Sequence, residues 1–255
     1  MSPTQPDAAS RAIEPRQRLI GLAIIVGLAL VVGLIVAALR PPAVTPGAPG
    51  TGPAGPAAST SATPTASIPQ AAREKVWTSD MAATGKYALN GVVLPPGKSA
   101  PSTKKYVVKV ETSVPQQADD VARQVHGILS DERSWVGYGK TNFELVAAEG
   151  TGVLTVYLAS PKTSDKLCQP AKTEGKWSCR SGNNIVLNAD RWLYMTPTYS
   201  DLGDYRAYMV NHEFGHALGL GHAKCPRKGA KAPVMMQQSI SLDGCVPNAW
   251  PRTSD

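Results

Sequence analysis

Apolar and polar positions follow different periods along the C-terminal part of the chain, and each period predicts a different element. Residues 106–111 contain three valines and partly alternate between apolar and polar, which is typical of a β-strand. Residues 116–130 follow Pro115 and place apolar side chains at helical spacing, so a helix is predicted there. The apolar stripe of that helix consists of Val121, Val125, Ile128 and Leu129.

Two further apolar segments, 143–148 and 153–159, flank the Glu-Gly-Thr-Gly sequence of residues 149–152. This arrangement predicts a β-hairpin. Residues 160–184 are polar and rich in glycine and lysine, which predicts a loop, and residues 184–188 predict a short strand. Taken alone, the order of these elements indicates only an α+β fold.

The last regular element is a predicted helix over residues 200–218. Ser200 or Asp201 can cap its N-terminus, and Asp204 lies in the first turn, where a negative charge is favourable. The helix is expected to end at Gly219, because glycine adopts positive φ without steric cost. Beyond this helix the periodic pattern almost disappears, which predicts an irregular C-terminal subdomain.

The predicted helix contains the sequence H-E-F-G-H-A-L-G-L-G-H, which fits the motif H-E-x-x-H-x-x-G-x-x-H at every fixed position. His212 and His216 leave the same helix face, and the turn that follows brings His222 back as a third zinc ligand. Three protein ligands leave one position of a single Zn²⁺ open for water, as in catalytic sites. Glu213 can accept a proton from that water. The chain has four histidines, and the remaining one, His126, is expected to be structural or to lie on the surface.

At these residues the chain resembles the metzincin clan of zinc metallopeptidases. The resemblance implies a Met-turn, whose methionine lies beneath the zinc site. Met235 fits this role because an aliphatic residue precedes it, and Met236 is the alternative. Ala223, which follows the third histidine, differs from the residues that the familiar subfamilies have there. No tyrosine closely follows the methionines either, so the chain resembles a divergent branch.

The resemblance also implies a fold and an activity. The fold would be α+β, with a mixed sheet, the active-site helix above it and a C-terminal subdomain tied by a disulfide. The activity would be peptide-bond hydrolysis, with residues 184–188 either pairing with an extended substrate at a sheet edge or simply packing within the sheet. The alternatives are a zinc hydrolase of cell-wall stem peptides and a catalytically silent zinc-containing binding module.

The N-terminal part of the chain has a different composition. Residues 19–39 are uncharged and long enough to span a bilayer, so a single-pass anchor is predicted, with a cleaved signal peptide as the alternative. Residues 1–18 would then be a cytoplasmic tail, 40–72 a stalk rich in proline, alanine and glycine, and 73–255 an extracytoplasmic peptidase domain at the plasma membrane. The orientation follows from the arginines before the span, which are Arg11, Arg16 and Arg18. An anchor, a stalk and a small domain of this kind are similar to actinobacterial membrane-anchored proteins that contain a domain of unknown function.

The chain is basic, with a formal net charge of +7. The basic residues are scattered except for one cluster, which is interpreted as a solvated loop or, alternatively, as a surface that attracts acidic substrates or an anionic cell surface. This cluster consists of Lys224, Arg227, Lys228 and Lys231. No nucleic-acid-binding motif is present, so the expected partners are the membrane and a peptide or protein substrate, with a cell-wall-associated substrate as one option.

The four cysteines are expected to form disulfides, because their number is even and the domain is predicted to lie outside the cytoplasm. Three pairings are possible. The pairs Cys168–Cys179 and Cys225–Cys245 are favoured, since each closes a loop within one local region. Cysteine ligation of zinc is the alternative, but the chain has no C-x-x-C pair.

Overall fold

The computed structural model describes residues 68–252. The predicted cytoplasmic tail and anchor, and nearly all of the stalk, lie outside these residues. Within the described range, no helix is both long enough and apolar enough to cross a membrane.

One mixed six-stranded sheet and its covering helices make the fold α+β. The strands are β1 (Tyr87–Leu89), β2 (Ser102–Glu111), β3 (Thr141–Leu145), β4 (Leu154–Ala159), β5 (Cys179–Ser181) and β6 (Asn184–Asn188). The helices are α1 (Gln70–Glu74), α2 (Ala118–Ser130), α3 (Pro161–Leu167), α4 (Ala189–Tyr194) and α5 (Leu202–Ala217), with a short 3₁₀ helix at Trp135–Tyr138. The predicted strand over 106–111 is therefore longer than expected, while the two long helices agree with prediction to within two residues at each end.

The centre of the sheet is parallel, and each edge contains one antiparallel strand. Strands β2, β4 and β6 run parallel to one another, so each is reached through a crossover connection. Strand β5 pairs antiparallel with the outer edge of β6. On the opposite side, β1 and β3 share one edge of β2 end to end, with β3 parallel and β1 antiparallel to it.

The predicted hairpin over residues 143–159 was wrong. Strands β3 and β4 both run parallel to β2 and lie on its opposite edges. Tyr106 in β2 is opposite Leu145, the last residue of β3, on one edge and opposite Leu154, the first residue of β4, on the other. The glycine-containing connection thus carries the chain from one edge of β2 to the other, and it does not form a hairpin turn. The sequence pattern is the same for both arrangements.

The prediction of a loop over residues 160–184 was also wrong in part. Helix α3 starts directly after Ser160, with Pro161 in its first turn. Proline is favourable there because a backbone N–H at that position would have no partner within the helix. Strand β5 exists because it pairs with β6, and so depends on a tertiary contact. Since β5 covers the edge of β6, residues 184–188 are an internal strand, which confirms the alternative that they pack within the sheet rather than form a substrate-binding edge.

Helix α5 is held on the sheet by an aromatic contact from within the histidine motif. The ring of Phe214 is fully buried and meets the edges of Phe143 and Tyr106, with centroid distances of 5.1 and 5.7 Å. Burying a phenylalanine side chain contributes about 1.5–3 kcal/mol. The same turn of helix that carries the first two histidines is therefore anchored in the core, which fixes the direction in which those histidines point.

A buried carboxylate fixes the end of β2 to neighbouring segments. Glu111 is fully buried and accepts hydrogen bonds from the backbone N–H groups of Gly85 and Ser160, at 2.8 and 2.7 Å, and from the Thr163 hydroxyl at 2.8 Å. Burial acts to raise the pKa of this carboxyl, but the hydrogen bonds outweigh it and hold the pKa below its usual range. Glu111 therefore connects β1, β4 and α3 as an ionised group.

Candidate metal centre

Helix α5 is a central helix whose start is defined by its own sequence. The Asp201 side chain caps it by accepting a hydrogen bond from the Asp204 N–H at 2.8 Å, as predicted. From Tyr205 onward the helix is buried on nearly all sides, down to Gly215. His212, Glu213 and His216 thus sit on a rigid element, and His222 follows it in the irregular segment.

The three histidines of the motif converge. Their ligand nitrogens all lie within 4.8 Å of one another, and the Nε2 atoms of His212 and His216 are 3.2 Å apart. His212 is buried, His216 is half-buried and His222 is exposed, so the cluster opens toward solvent on one side. His126 is elsewhere, with its Nδ1 atom 3.1 Å from the Tyr106 hydroxyl, which agrees with a structural role.

Backbone carbonyls orient two of the three rings. The Nδ1–H of His212 donates to the Val234 carbonyl, and that of His216 donates to the Leu220 carbonyl, both at 2.8 Å. With Nδ1 protonated in a neutral ring, the Nε2 atoms of both histidines present lone pairs to each other at 3.2 Å. Two such acceptors repel unless a cation lies between them. The donor set therefore fits a metal ion, and the carbonyls are the outer partners that metal-binding histidines usually have.

Two of the histidines, His212 and His222, have pKa values lowered in the direction of the neutral form that binds metal. Burial lowers the pKa of His212 to about 4, with smaller contributions from His216 and His222. Burial lowers the pKa of His222 as well, with His216 contributing in the same direction. Because a protonated imidazole cannot be a ligand, these shifts favour metal binding at neutral pH.

The turn after α5 has the geometry that the motif requires. Gly219 has φ of +89°, a conformation that side chains rarely tolerate. The Leu220 N–H donates back to the Gly215 carbonyl at 3.0 Å, which satisfies one of the free carbonyls at the end of the helix. This closes the helix and positions both the carbonyl that holds His216 and the chain that leads to His222.

Glu213 lies beside the histidines with one oxygen unused. Its side chain is buried and lines the same cavity as the three rings. Its Oε2 atom has no hydrogen-bond partner among the described residues. Burial raises the pKa of Glu213 to about 8, and a divalent cation on the histidines would act in the opposite direction.

Met235 is the methionine that lies against the motif helix. A Cβ atom at Gly215 would be 2.3 Å from the Met235 sulfur, so the glycine permits this close approach. The residue before it supplies the carbonyl that holds His212. Met236 belongs to a separate small apolar cluster with Ala232 and Cys245. Of the two predicted alternatives, Met235 is therefore the methionine that packs against the motif helix.

The predicted disulfides are confirmed. Cys168 is bonded to Cys179 and Cys225 to Cys245, which leaves no free cysteine in the chain. The alternative of cysteine as a zinc ligand was wrong. The first disulfide ties the loop that leads into β5, and the second closes a ring around the segment that contains Met235.

Gln238 organises the C-terminal segment and was not anticipated from the sequence. Its side chain is fully buried, and its oxygen accepts from the Tyr199 hydroxyl and the Asn248 N–H, both at 2.9 Å. Its amide nitrogen donates to the carbonyls of Pro233 and Asn248, at 3.2 and 2.8 Å. All of the hydrogen-bonding capacity of this side chain is thus used to hold together a segment that contains no helix or strand.

A cleft of ≈ 550 Å³ lies in front of the histidines, within the usual size range of ligand sites. One wall is formed by the β5 region, including Trp177 and Ser178, and the floor by the motif helix, including Tyr208. The Tyr208 hydroxyl donates to the Met236 carbonyl at 3.0 Å. This tyrosine was not predicted from the sequence, although its position four residues before His212 places it on the same helix face.

A sequence model of the family described as "Protein of unknown function (DUF3152)" matches residues 77–249. The chain belongs to this family. No curated protein and no solved structure matches the chain. The matched segment of the DUF3152 domain contains the three clustered histidines, Glu213, Met235 and all four cysteines. The basic cluster after the third histidine also falls within the DUF3152 match, and its side chains are exposed.

Proposed function

We propose that this protein is a zinc-dependent peptidase of the metzincin type, in which His212, His216 and His222 hold one Zn²⁺ and Glu213 is the general base. The observation that carries the proposal is the meeting of three imidazole nitrogens and one buried, unpartnered carboxylate at a single open cleft. A purely structural site has no use for such a carboxylate. The resemblance of the motif and of Met235 to the metzincin clan supports the same reaction.

The residues of the site would divide the reaction between them. The ion, when bound, supplies Lewis-acid activation of water and of the peptide carbonyl. Glu213 would accept the proton of the attacking water and then donate it to the nitrogen of the leaving amine. The Val234 and Leu220 carbonyls would keep His212 and His216 in the correct ring orientation.

A peptide substrate would pair with β5 rather than with β6. Strand β5 lies at the rim of the cleft, and within residues 68–252 its outer edge has no partner strand. An extended peptide could add to this edge through backbone hydrogen bonds, which is a common mode of peptide recognition. The free strand edge is the feature that favours a peptide over other zinc-hydrolase substrates.

The decisive experiment compares the zinc-loaded full-length chain with its Glu213→Gln variant. Glu213→Gln should retain one Zn²⁺ per chain, because Glu213 is not a ligand, and should cleave peptides at a rate lower by about 10²–10⁴. Elemental analysis measures the metal, and digestion of a peptide library measures the activity. Glu149→Gln, at an exposed glutamate away from the cleft, is the matched control and should behave like the wild type.

The outcomes separate the competing functions. His216→Ala should lose both zinc and activity. Equal cleavage by the wild type and Glu213→Gln would show that the assigned base is wrong. Bound zinc without cleavage of any peptide would favour the silent binding module, and cleavage of purified peptidoglycan alone would favour the stem-peptide hydrolase.

The proposal places the domain outside the cell, on a single-pass anchor at residues 19–39. Its basis is the uncharged span and the preceding arginines. Protease added to intact cells should remove the domain and leave residues 1–18 protected. A mature protein that begins near residue 40 would instead establish a cleaved signal peptide.

A further inference from the structure

The charges that line the cleft are almost all of one sign. Among the described residues that line it, Lys172 and Arg180 are basic and Glu213 is the only acidic residue. Glu213 is buried at the floor, whereas both basic side chains are exposed at the rim. A divalent ion on the histidines would add to the positive potential of the same cleft.

The two basic side chains are available to a ligand. Neither has an ion pair or a side-chain hydrogen bond within the described part of the chain. Nearby acidic side chains bind other groups: Glu174 pairs with Lys176 at 2.9 Å, and Asp165 of α3 accepts from the Thr173 hydroxyl at 2.7 Å. Lys172 and Arg180 therefore line the cleft without an acidic partner among the described residues.

The positions of these residues are fixed by the fold. Arg180 is the middle residue of β5, opposite Ile185 in the register with β6, and Cys179 beside it is bonded to Cys168. Lys172 lies within the loop that this disulfide closes. One constrained segment therefore contains both strand β5, which would pair with the backbone of a bound peptide, and the two charges that would contact the side chains of that peptide.

We infer that the cleft selects acidic peptides, with Lys172 and Arg180 as the residues that determine this specificity. The inference rests on the proposed peptidase function and names its substrate class. A peptide bound along β5 would place aspartate or glutamate side chains against one or both cations, and the planar guanidinium of Arg180 suits a carboxylate in particular. Lysine or arginine at the same positions would be repelled.

The selectivity should have the size and the salt dependence of exposed charge pairs. One such pair changes affinity or kcat/KM by up to about fivefold. The effect should decline as salt increases, because the Debye length falls from about 10 Å at 0.1 M to about 3 Å at 1 M. A preference produced by shape alone would not change with ionic strength.

The test uses the zinc-loaded full-length chain and a set of peptides that differ only by aspartate, asparagine or lysine, placed in turn at each position around one scissile bond. The wild type should cleave the aspartate peptide about three- to fivefold faster than the asparagine peptide at one or more positions, and the lysine peptide more slowly than either. Lys172→Glu/Arg180→Glu should reverse this order. Lys162→Glu/Arg123→Glu, which makes the same change in net charge at exposed sites outside the cleft, should preserve it.

Binding of the same peptides to zinc-loaded Glu213→Gln, measured by fluorescence anisotropy, separates recognition from catalysis. Cleavage and binding that are equal for the three peptides would overturn the inferred specificity and leave the peptidase function standing. Binding that favours aspartate without any cleavage by the wild type would overturn the peptidase function and retain the acidic-peptide site. Reversal by the control pair as well would show that net charge, and not these two residues, determines the preference.

Discussion

The sheet with its helices and the C-terminal segment after Ala217 are ordered by different means. The first has a regular hydrogen-bond ladder and a continuous apolar core. The second has no helix or strand within the described residues and is held by turns, by the Cys225–Cys245 disulfide and by the buried amide of Gln238. The candidate metal centre lies where these two regions meet.

Each region supplies what the other cannot. Nearly all residues of the helix from Tyr205 to Gly215 are buried. This packing fixes the directions in which the side chains of His212, Glu213 and His216 point. The irregular segment gives His222, the carbonyl that holds His212, and Met235 beneath the helix. The site therefore needs the irregular region for its third histidine and the helix for the fixed orientation of the other two.

The largest expected effect comes from removing a disulfide, and it distinguishes the two regions. Cys225→Ser/Cys245→Ser and Cys168→Ser/Cys179→Ser should each lower the free energy of unfolding by about 3 kcal/mol, since the sequence separations are 20 and 11. Only the first pair should weaken zinc binding, because only its loop contains Val234 and Met235. Urea unfolding and competition with a zinc chelator measure the two quantities. Equal loss of zinc affinity in both variants would contradict the expectation that only the Cys225–Cys245 loop supports the metal centre.

The second prediction concerns the regular region alone. Glu111→Gln should lower the free energy of unfolding by about 2 kcal/mol at pH 7, because the amide –NH₂ would face donors that now point at a carboxylate. Zinc affinity should remain that of the wild type. Urea unfolding and metal titration of the same preparation provide the check, and a large loss of zinc would show that the sheet and the centre are more closely coupled than their contacts indicate.

The same residue gives a pH dependence with a defined sign. The folded-state pKa of Glu111 is lowered, so its contribution is complete above its ordinary value near 4.5 and is lost as the pH falls below that value toward the folded-state pKa. The wild type should therefore lose stability relative to Glu111→Gln between about pH 5 and pH 3. Parallel curves for the two proteins over this range would show that folding does not lower the pKa of Glu111.

The smallest expected effect tests the contact between the two regions. Gly215→Ala should cost about 1 kcal/mol, because overpacking against the Met235 sulfur, at about 1–3 kcal/mol, outweighs the gain in helix propensity of up to about 1 kcal/mol. Gly127→Ala is the matched control in α2, where a Cβ would meet no atom within 4 Å, and it should stabilise the protein. A combined Gly215→Ala/Met235→Ala variant should be less destabilised than the sum of the single changes. Strict additivity would exclude a direct contact.

The parts of the molecule that sequence could predict are those governed by local rules. The histidine motif has fixed residue types at fixed spacing, so its three histidines could be assigned to one cluster before the fold was known. Helix α2 follows from its apolar spacing, helix α5 from its Asp201 cap and the motif, and the disulfides from the short separation of each pair. In each case the determining interaction lies within about one turn of helix or one short loop.

The parts that could not be predicted depend on which segments meet. Strand β5 has only three residues and exists through its pairing with β6, so nothing in its own sequence marks it. The edge change between β3 and β4 uses the same glycine-rich connection as a hairpin would. Gln238 looks like a surface residue in sequence, because its partners Tyr199 and Asn248 are identified only by the fold. The outline of the candidate centre could therefore be predicted, while the edge strand β5 and the support of the C-terminal segment could not.

The Cys225–Cys245 bond has a further consequence for the integrity of the chain. Arg227 and Lys228 are exposed and lie inside the covalent ring that this bond closes. A trypsin-like protease that cuts there would break the backbone between His222 and Met235 without separating the fragments. The nicked protein would migrate as one molecule until it is reduced. His222 and Met235 would therefore stay covalently linked after the main chain between them is broken.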